Sequence, residues 1–151
     1  MLQNKKVMDL LTDNSERILA IDYGEKRIGI AISDPLKIFA IPLTTILNNK
    51  NFWNEFIKIF EKYNIVEIIL GYPLKEDGTK SSITLKVEEF ENKLKNKIKL
   101  PVKLVDERYS SSIAAEQIIE SVKSKKKRRD KSLIDKNAAA VILSDFLNNV
   151  A

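Results

Sequence analysis

The chain of 151 residues contains no cysteine and no histidine, and these two absences remove much of the usual catalytic repertoire. Without imidazole or thiol there is no Ser-His-Asp or Cys-His nucleophile, no ordinary Cys/His zinc site and no disulfide. Glycine and proline are scarce, at four residues each, which argues against a fibrous or low-complexity chain. No apolar run approaches the ~18 residues needed to span a bilayer. The opening stretch, MLQNKKVMDLLTDNSER, has neither the apolar core nor the small-residue cleavage site of a secretory leader. A cytoplasmic protein that does not engage membrane is the expectation.

What is present is a chain with 44% hydrophobic and 31% charged residues, enough for one globular domain with a true core. Its formal net charge of +5 is localised. Lys123 to Lys131 carries seven basic residues and one Asp, a local charge of +6, and the remainder is close to neutral at −1. An anionic partner is therefore sought first at that stretch.

The hydrophobic pattern predicts an α/β domain. RILAID (Arg17–Asp22) and RIGIAIS (Arg27–Ser33) flank a Tyr23-Gly24-Glu25 turn as a hairpin, and a third strand over Ile38–Ile46, interrupted by Pro42, suits an edge or a bulge. Phe52, Trp53, Phe56, Ile57, Ile59 and Phe60 then follow helical spacing. IVEIILG (Ile65–Gly71) reads as a buried strand, Tyr72–Gly78 as a polar loop, and about Ser81–Lys97 as a helix with Ile83, Val87, Phe90 and Leu94 on one stripe. VKLVD (Val102–Asp106) is the fifth strand, a helix follows through Ile119, and Asp135–Leu147 forms the last, with Asp135 at its start. The result is a mixed five-stranded sheet, three antiparallel strands and then two parallel βα additions, flanked by helices. Residues 1–16 read as an N-terminal extension, 17–151 as the domain, and 121–132 as a basic loop within it.

Carboxylates are the side chains left for strong acid, base or metal work. Asp22 ends strand one, Asp106 and Glu107 end strand five, and Asp135 opens the last helix. Ligands collect at the carboxyl ends of strands in open α/β sheets, so these acids converge if strands one and five are parallel neighbours. Converging carboxylates repel one another unless divalent metal neutralises them. Mg²⁺ or Mn²⁺ suits hard oxygen donors, and a pair roughly 3.5–4 Å apart activates water and stabilises the leaving oxygen of a phosphodiester. Such an arrangement would give nuclease chemistry without histidine.

Four segments in order, DYGEKRIGIAISD (Asp22–Asp34), LGYPLKEDGT (Leu70–Thr79), LVDERYSS (Leu104–Ser111) and DKNAAAVIL (Asp135–Leu143), resemble the YqgF family of RNase H-like proteins, described as Holliday junction resolvases or pre-16S rRNA nucleases. The resemblance spans about Arg17 to Asn148. It implies an RNase H-like fold, metal-dependent endonuclease activity on structured nucleic acid and a role in maturing the 5′ end of small-subunit rRNA. It puts metal-binding carboxylates on Asp22, on one of Asp106 and Glu107, and on Asp135. Strand alternation lets only one of the adjacent pair face the site, and Glu107 is favoured. Many RNase H-like nucleases carry an acid at the end of the fourth strand, where this chain reads Gly71-Tyr72-Pro73.

For nucleic-acid contacts the candidates are Lys26 and Arg27 in the first hairpin, Arg108 beside the acids, Tyr72 as a stacking surface, and Lys125, Lys126, Lys127, Arg128 and Arg129 in the basic run. Trp53, Phe56 and Phe60 read as core. Expected partners are pre-rRNA within a small-subunit precursor, or branched DNA, bound by a monomer or homodimer. Two rivals are a non-catalytic ribosome assembly factor using the same basic run, and half of an actin-like ATPase, which also opens on Asp-x-Gly. The second is disfavoured because such enzymes clamp nucleotide between two domains.

Overall fold

A computed structural model of the chain describes residues 14–107 and 131–150. Within them the order is β1 (Glu16–Asp22), β2 (Arg27–Ser33), β3 (Ala40–Leu47), α1 (Phe52–Lys62), β4 (Asn64–Tyr72), α2 (Ser82–Lys97), β5 (Val102–Asp106) and α3 (Lys131–Val150). The sheet order is β3-β2-β1-β4-β5, with β1/β2 and β2/β3 antiparallel and β1/β4 and β4/β5 parallel. The predicted mixed sheet is therefore present. The neighbouring of β1 and β5 on which convergence of the acids was conditioned is not met: β4 lies between them, so the acids at the ends of those strands face each other across an intervening strand.

Alternation along the strands separates two cores. Leu19, Ile21, Ile28, Ile30, Ile68 and Leu70 point to one face and pack against Phe52, Phe56 and Ile59 of α1 and Val87, Phe90 and Leu94 of α2. Ile18, Ala20, Ala31 and Ile69 point to the other and meet Ala139, Ala140, Ile142 and Leu143 of α3. Covering both faces explains why β1, β2 and β4 read as nearly continuous apolar runs. No residue of β3 is fully buried, as befits an edge strand, and Pro42 sits opposite Ala31 where the β2–β3 register shifts.

One buried position and one helix boundary correct the sequence reading. Ser81 caps α2, accepting from the Thr84 backbone N–H while the Thr84 hydroxyl accepts from the Ser81 N–H. That reciprocal pair turns Thr84 inward, so the buried position is Thr84 rather than Ile83, and its hydroxyl also donates to the Pro73 carbonyl. Helix α3 begins at Lys131, four residues before the expected start, so Asp135 lies inside the helix and does not cap it, and Lys131 and Ser132 are helical rather than part of a loop. Residues 1–13, Arg108, Tyr109, the helix expected through Ile119, and Lys125–Arg129 lie outside the described residues. Among the described residues no helix is long and apolar enough to cross a membrane.

Candidate active site

The site is built at the carboxyl edge of the parallel strands. Asp22 is the last residue of β1 and pairs with Gly29 of β2. Because Ile18 and Ala20 face α3, Asp22 faces it as well. Gly71 of β4 shares that face through Ile69 and pairs with Val105 of β5, and Glu107 lies two residues beyond Val105. Asp106, opposite Tyr72 in the β4–β5 register, belongs to the other parity. Of the adjacent acids, Glu107 thus turns toward α3 and reaches Asp22.

The intervening strand would block that approach if it carried a side chain. A β-carbon built on Gly71 collides with Glu107 Oε1 and comes within 2.7 Å of Ile142 Cδ1. Gly71 is therefore the gap through which Glu107 crosses β4. A glycine at the end of a buried apolar strand marks this kind of close approach, and although the sequence places Gly71 in that strand, its role as a gap becomes visible only in the fold.

The Glu107 carboxyl lies within hydrogen-bonding reach of Asp22. Burial pushes the Glu107 carboxyl above its ordinary value, the bond with Asp22 offsets part of the rise, and the Asp106 charge adds to it. The pair lines a cleft of about 270 Å³ whose remaining wall is Ala138, Val141 and Ile142 of α3. Asp135 sits on α3 just under one turn before Ala138; its side chain is outside what is described. Among the described residues no group of three acids is spaced to hold a metal ion. The donor chemistry nevertheless fits a hard divalent cation: two carboxyl groups close enough to share a proton would be held without it by a cation between them.

The other candidates distribute unequally. Arg27 opens β2 on the Asp22 face, two residues before Gly29, and is half-buried, whereas Lys26 is exposed in the turn. This turn is tight, since a β-carbon on Gly24 would strike the Arg27 carbonyl. Asn48 holds it from the β3–α1 connection, its side-chain amide donating to Gly24 O at 3.0 Å and its backbone N–H to Lys26 O at 2.9 Å. Tyr72 lies on the opposite face, packs against the α1/α2 core and donates to Glu88 Oε1 at 3.3 Å, so it is not beside the Asp22–Glu107 pair. The loop after it closes on itself: Leu74 bridges Lys80, Gly78 takes φ 85°, and Asp77 Oδ1 accepts from the Thr79 N–H at 2.9 Å.

A mixed sheet in the order 3-2-1-4-5, with helices on both faces and paired carboxylates at the ends of β1 and β5, defines an RNase H-like nuclease domain. A solved structure of fowlpox virus resolvase with Holliday junction DNA shares the fold, with a TM-score of 0.56 at 16% identity over 89% of this chain and 98% of that one. Residues 16–149 match the family model RuvX, described as Holliday junction resolvase, and the chain belongs to that family. Curated relatives named "Putative pre-16S rRNA nuclease" include one from Dictyoglomus turgidum, 40% identical over 89% of this chain and 96% of its own length, and one from Mycoplasma mobile, 42% identical over 88% and 92%. The family is a nuclease family, and this chain is an enzyme of that class.

Proposed function

We propose that the chain is a divalent-metal-dependent endonuclease that trims the 5′ end of pre-16S rRNA in the cytoplasm, with Asp22, Glu107 and Asp135 holding Mg²⁺ or Mn²⁺. The observation that carries this reading is the Asp22–Glu107 contact made through the gap at Gly71. Curated relatives matched along most of their length, and bearing the pre-16S rRNA nuclease name, support the substrate. Bound between these carboxylates, the metal would lower the pKa of an attacking water and neutralise charge on the scissile phosphate. The chain's own contribution is geometric. Glu107 and Asp22, when ionised, form a dianionic cradle, the β-strands fix their separation, and Ala138, Val141 and Ile142 keep one wall apolar and narrow. Arg27, on the same face, is suited to hold a flanking phosphate. Arg108 and Lys125–Arg129 supply further phosphate contacts in this reading, and Asp106 tunes Glu107 by charge without ligating.

The family description favours a second substrate, the four-way DNA junction. A panel of precursor rRNA and four-way junctions, with Mg²⁺, Mn²⁺ or EDTA, separates the two. Cleavage that needs metal and is lost in Asp22→Asn, by about a thousandfold or more for a residue acting on the reacting centre, is the expected result. Full activity in EDTA or in that variant overturns the mechanism. Binding without cleavage under all conditions would instead make the protein an assembly factor.

A further inference from the structure

A second cavity, of about 350 Å³, opens on the opposite face of the sheet, lined by residues that include Tyr23, Lys50, Trp53, Lys86 and Lys93. Tyr23 directly follows Asp22, and the β1–β2 turn and the β3–α1 connection frame its rim. Since β3 runs parallel to β1, this cavity and the Asp22–Glu107 cleft lie at the same edge of the sheet, divided only by the turn at Gly24.

Three lysines, Lys50, Lys86 and Lys93, gather around this cavity. Elsewhere on the described surface Lys37, Lys58, Lys80, Lys95 and Lys103 each face a glutamate at 3.0–3.2 Å. Lys50 and Lys93 have no carboxylate partner among the described residues, and nor does Lys97, one turn beyond Lys93. Lys86 is paired with Glu25 of the turn at 2.9 Å, but both side chains are about half exposed, so the pair is weak and exchangeable. One acid, Glu89, lines the cavity against the three lysines, Lys50, Lys86 and Lys93, and Lys97 lies beside it over the Trp53 ring.

The aromatic groups there do not offer a stacking platform. Trp53 has Phe90 stacked on its ring at 5.4 Å and Lys97 Nζ at 5.3 Å from its centroid, and Tyr23 packs on Phe90 at 5.0 Å. Their rings form the floor, and the lysines supply the only strong recognition. Uncompensated ammonium groups over an apolar floor bind phosphates as point charges, without reading bases.

We infer that this cavity is a phosphate-binding subsite for the nucleic-acid strand flanking the scissile bond, with Lys50, Lys93 and Lys97 contacting successive phosphates and Lys86 joining them when it leaves Glu25. The inference rests on the nuclease reading. It adds a gripping point on the far side of the Gly24 turn, in a part of the molecule distinct from the Lys123–Lys131 run. A strand passing over the turn would thus be held on both sides of the cleavage position.

The chain's single tryptophan makes the subsite directly observable. Titrating an unlabelled single-stranded RNA oligonucleotide into the full chain in Ca²⁺ should quench Trp53 emission, with a midpoint matching the affinity found by anisotropy on the same RNA labelled. Replacing Lys50, Lys93 and Lys97 together by Gln should remove the quench, weaken binding about tenfold at low salt, and lower the salt slope of log K by roughly 1–2. In cleavage assays the triple variant should raise KM with kcat little changed, whereas Asp22→Asn should lower kcat. Lysines this exposed can be replaced without loss of fold, and an unchanged melting temperature checks that. If the wild type binds and cleaves RNA but the triple variant matches it in affinity, quench and KM, the subsite is wrong and the nuclease reading stands. If the wild type neither binds nor cleaves any nucleic acid, both fall.

Discussion

Glu107 reaches Asp22 only because Gly71 has no side chain: the space a β-carbon would fill at position 71 is occupied by the Glu107 carboxylate. The two acids belong to strands separated by β4, and the contact between them is a property of that third residue. Where many RNase H-like nucleases set a carboxylate at the end of the fourth strand, this chain has a vacancy through which an acid from the fifth strand arrives.

Gly71→Ala should therefore act as a site mutation. The added methyl group displaces a flexible carboxylate and presses on Ile142, while β4 keeps its backbone pairing. Metal-dependent cleavage should drop about 10–100-fold, the scale typical of disturbed ligand positioning. Thermal unfolding should change much less than for a core substitution. Isothermal titration with Mn²⁺, beside single-turnover cleavage, checks both.

Glu107→Gln should stabilise the metal-free protein near neutral pH while abolishing function. Burial raises the folded-state pKa of Glu107, so the stability linked to its protonated form is complete below its ordinary value near 4.5 and lost as pH rises through the higher folded value. Glutamine keeps the neutral form's shape at every pH. The variant should melt about 2–4 °C higher than wild type at pH 7 without metal, and the two should converge toward pH 4. Added Mn²⁺ should raise the wild-type melting temperature and leave the variant's unchanged. Differential scanning fluorimetry over pH 4–8 suffices.

Asp34 predicts the opposite pH trend. Its carboxylate accepts from the backbone N–H groups of Leu36, Ile38 and Phe39 at 3.2, 2.7 and 2.6 Å, organising the β2–β3 turn in which Lys37 takes φ 58°. Its slight burial pushes the pKa up, but these hydrogen bonds together outweigh it and hold the group below its ordinary value of 3.8. The stability it contributes is present above that value and lost as pH falls through the lower folded one. Asp34→Ala should cost about 1 kcal/mol at pH 7 and progressively less in acid, read as the difference between wild-type and variant urea midpoints from pH 7 to pH 2.

Ala140→Leu tests how closely α3 must sit. Ala139 and Ala140 are fully buried against the sheet. A larger side chain there should cost about 1–3 kcal/mol by overpacking, and by lifting α3 it should also move Val141 and Ile142 off the cleft. Activity should fall with stability in this variant, unlike in Gly71→Ala.

The alternation of RILAID and RIGIAIS, the helical spacing from Phe52 to Phe60 and the apolar stripe at Val87, Phe90 and Leu94 made the strands, helices and much of the core legible. Parity along VKLVDE separates Glu107 from Asp106 without saying which of the two turns toward Asp22. Strand order was harder to read, because pairing is a long-range choice that local period does not encode, and β4 entered between β1 and β5. The side of the sheet on which Tyr72 lies follows from the same parity that places Gly71, but the strand was read as ending at Gly71 and Tyr72 as part of the loop. The start of α3 was masked by a different effect: Asp135 is a good capping residue, and the basic residues before it gave no sign that the helix already included Lys131.

The order of synthesis adds a consequence of where α3 sits. Asp22 is made early and Glu107 late, and the wall of Ala138, Val141 and Ile142 comes from a helix made after every strand of the sheet. A nascent chain that has folded its five strands still lacks a closed cleft, and gains one only when residues 131–150 dock on β2, β3 and β1. Cutting competence is thereby tied to α3, so the strands can pair during synthesis before the blade is assembled.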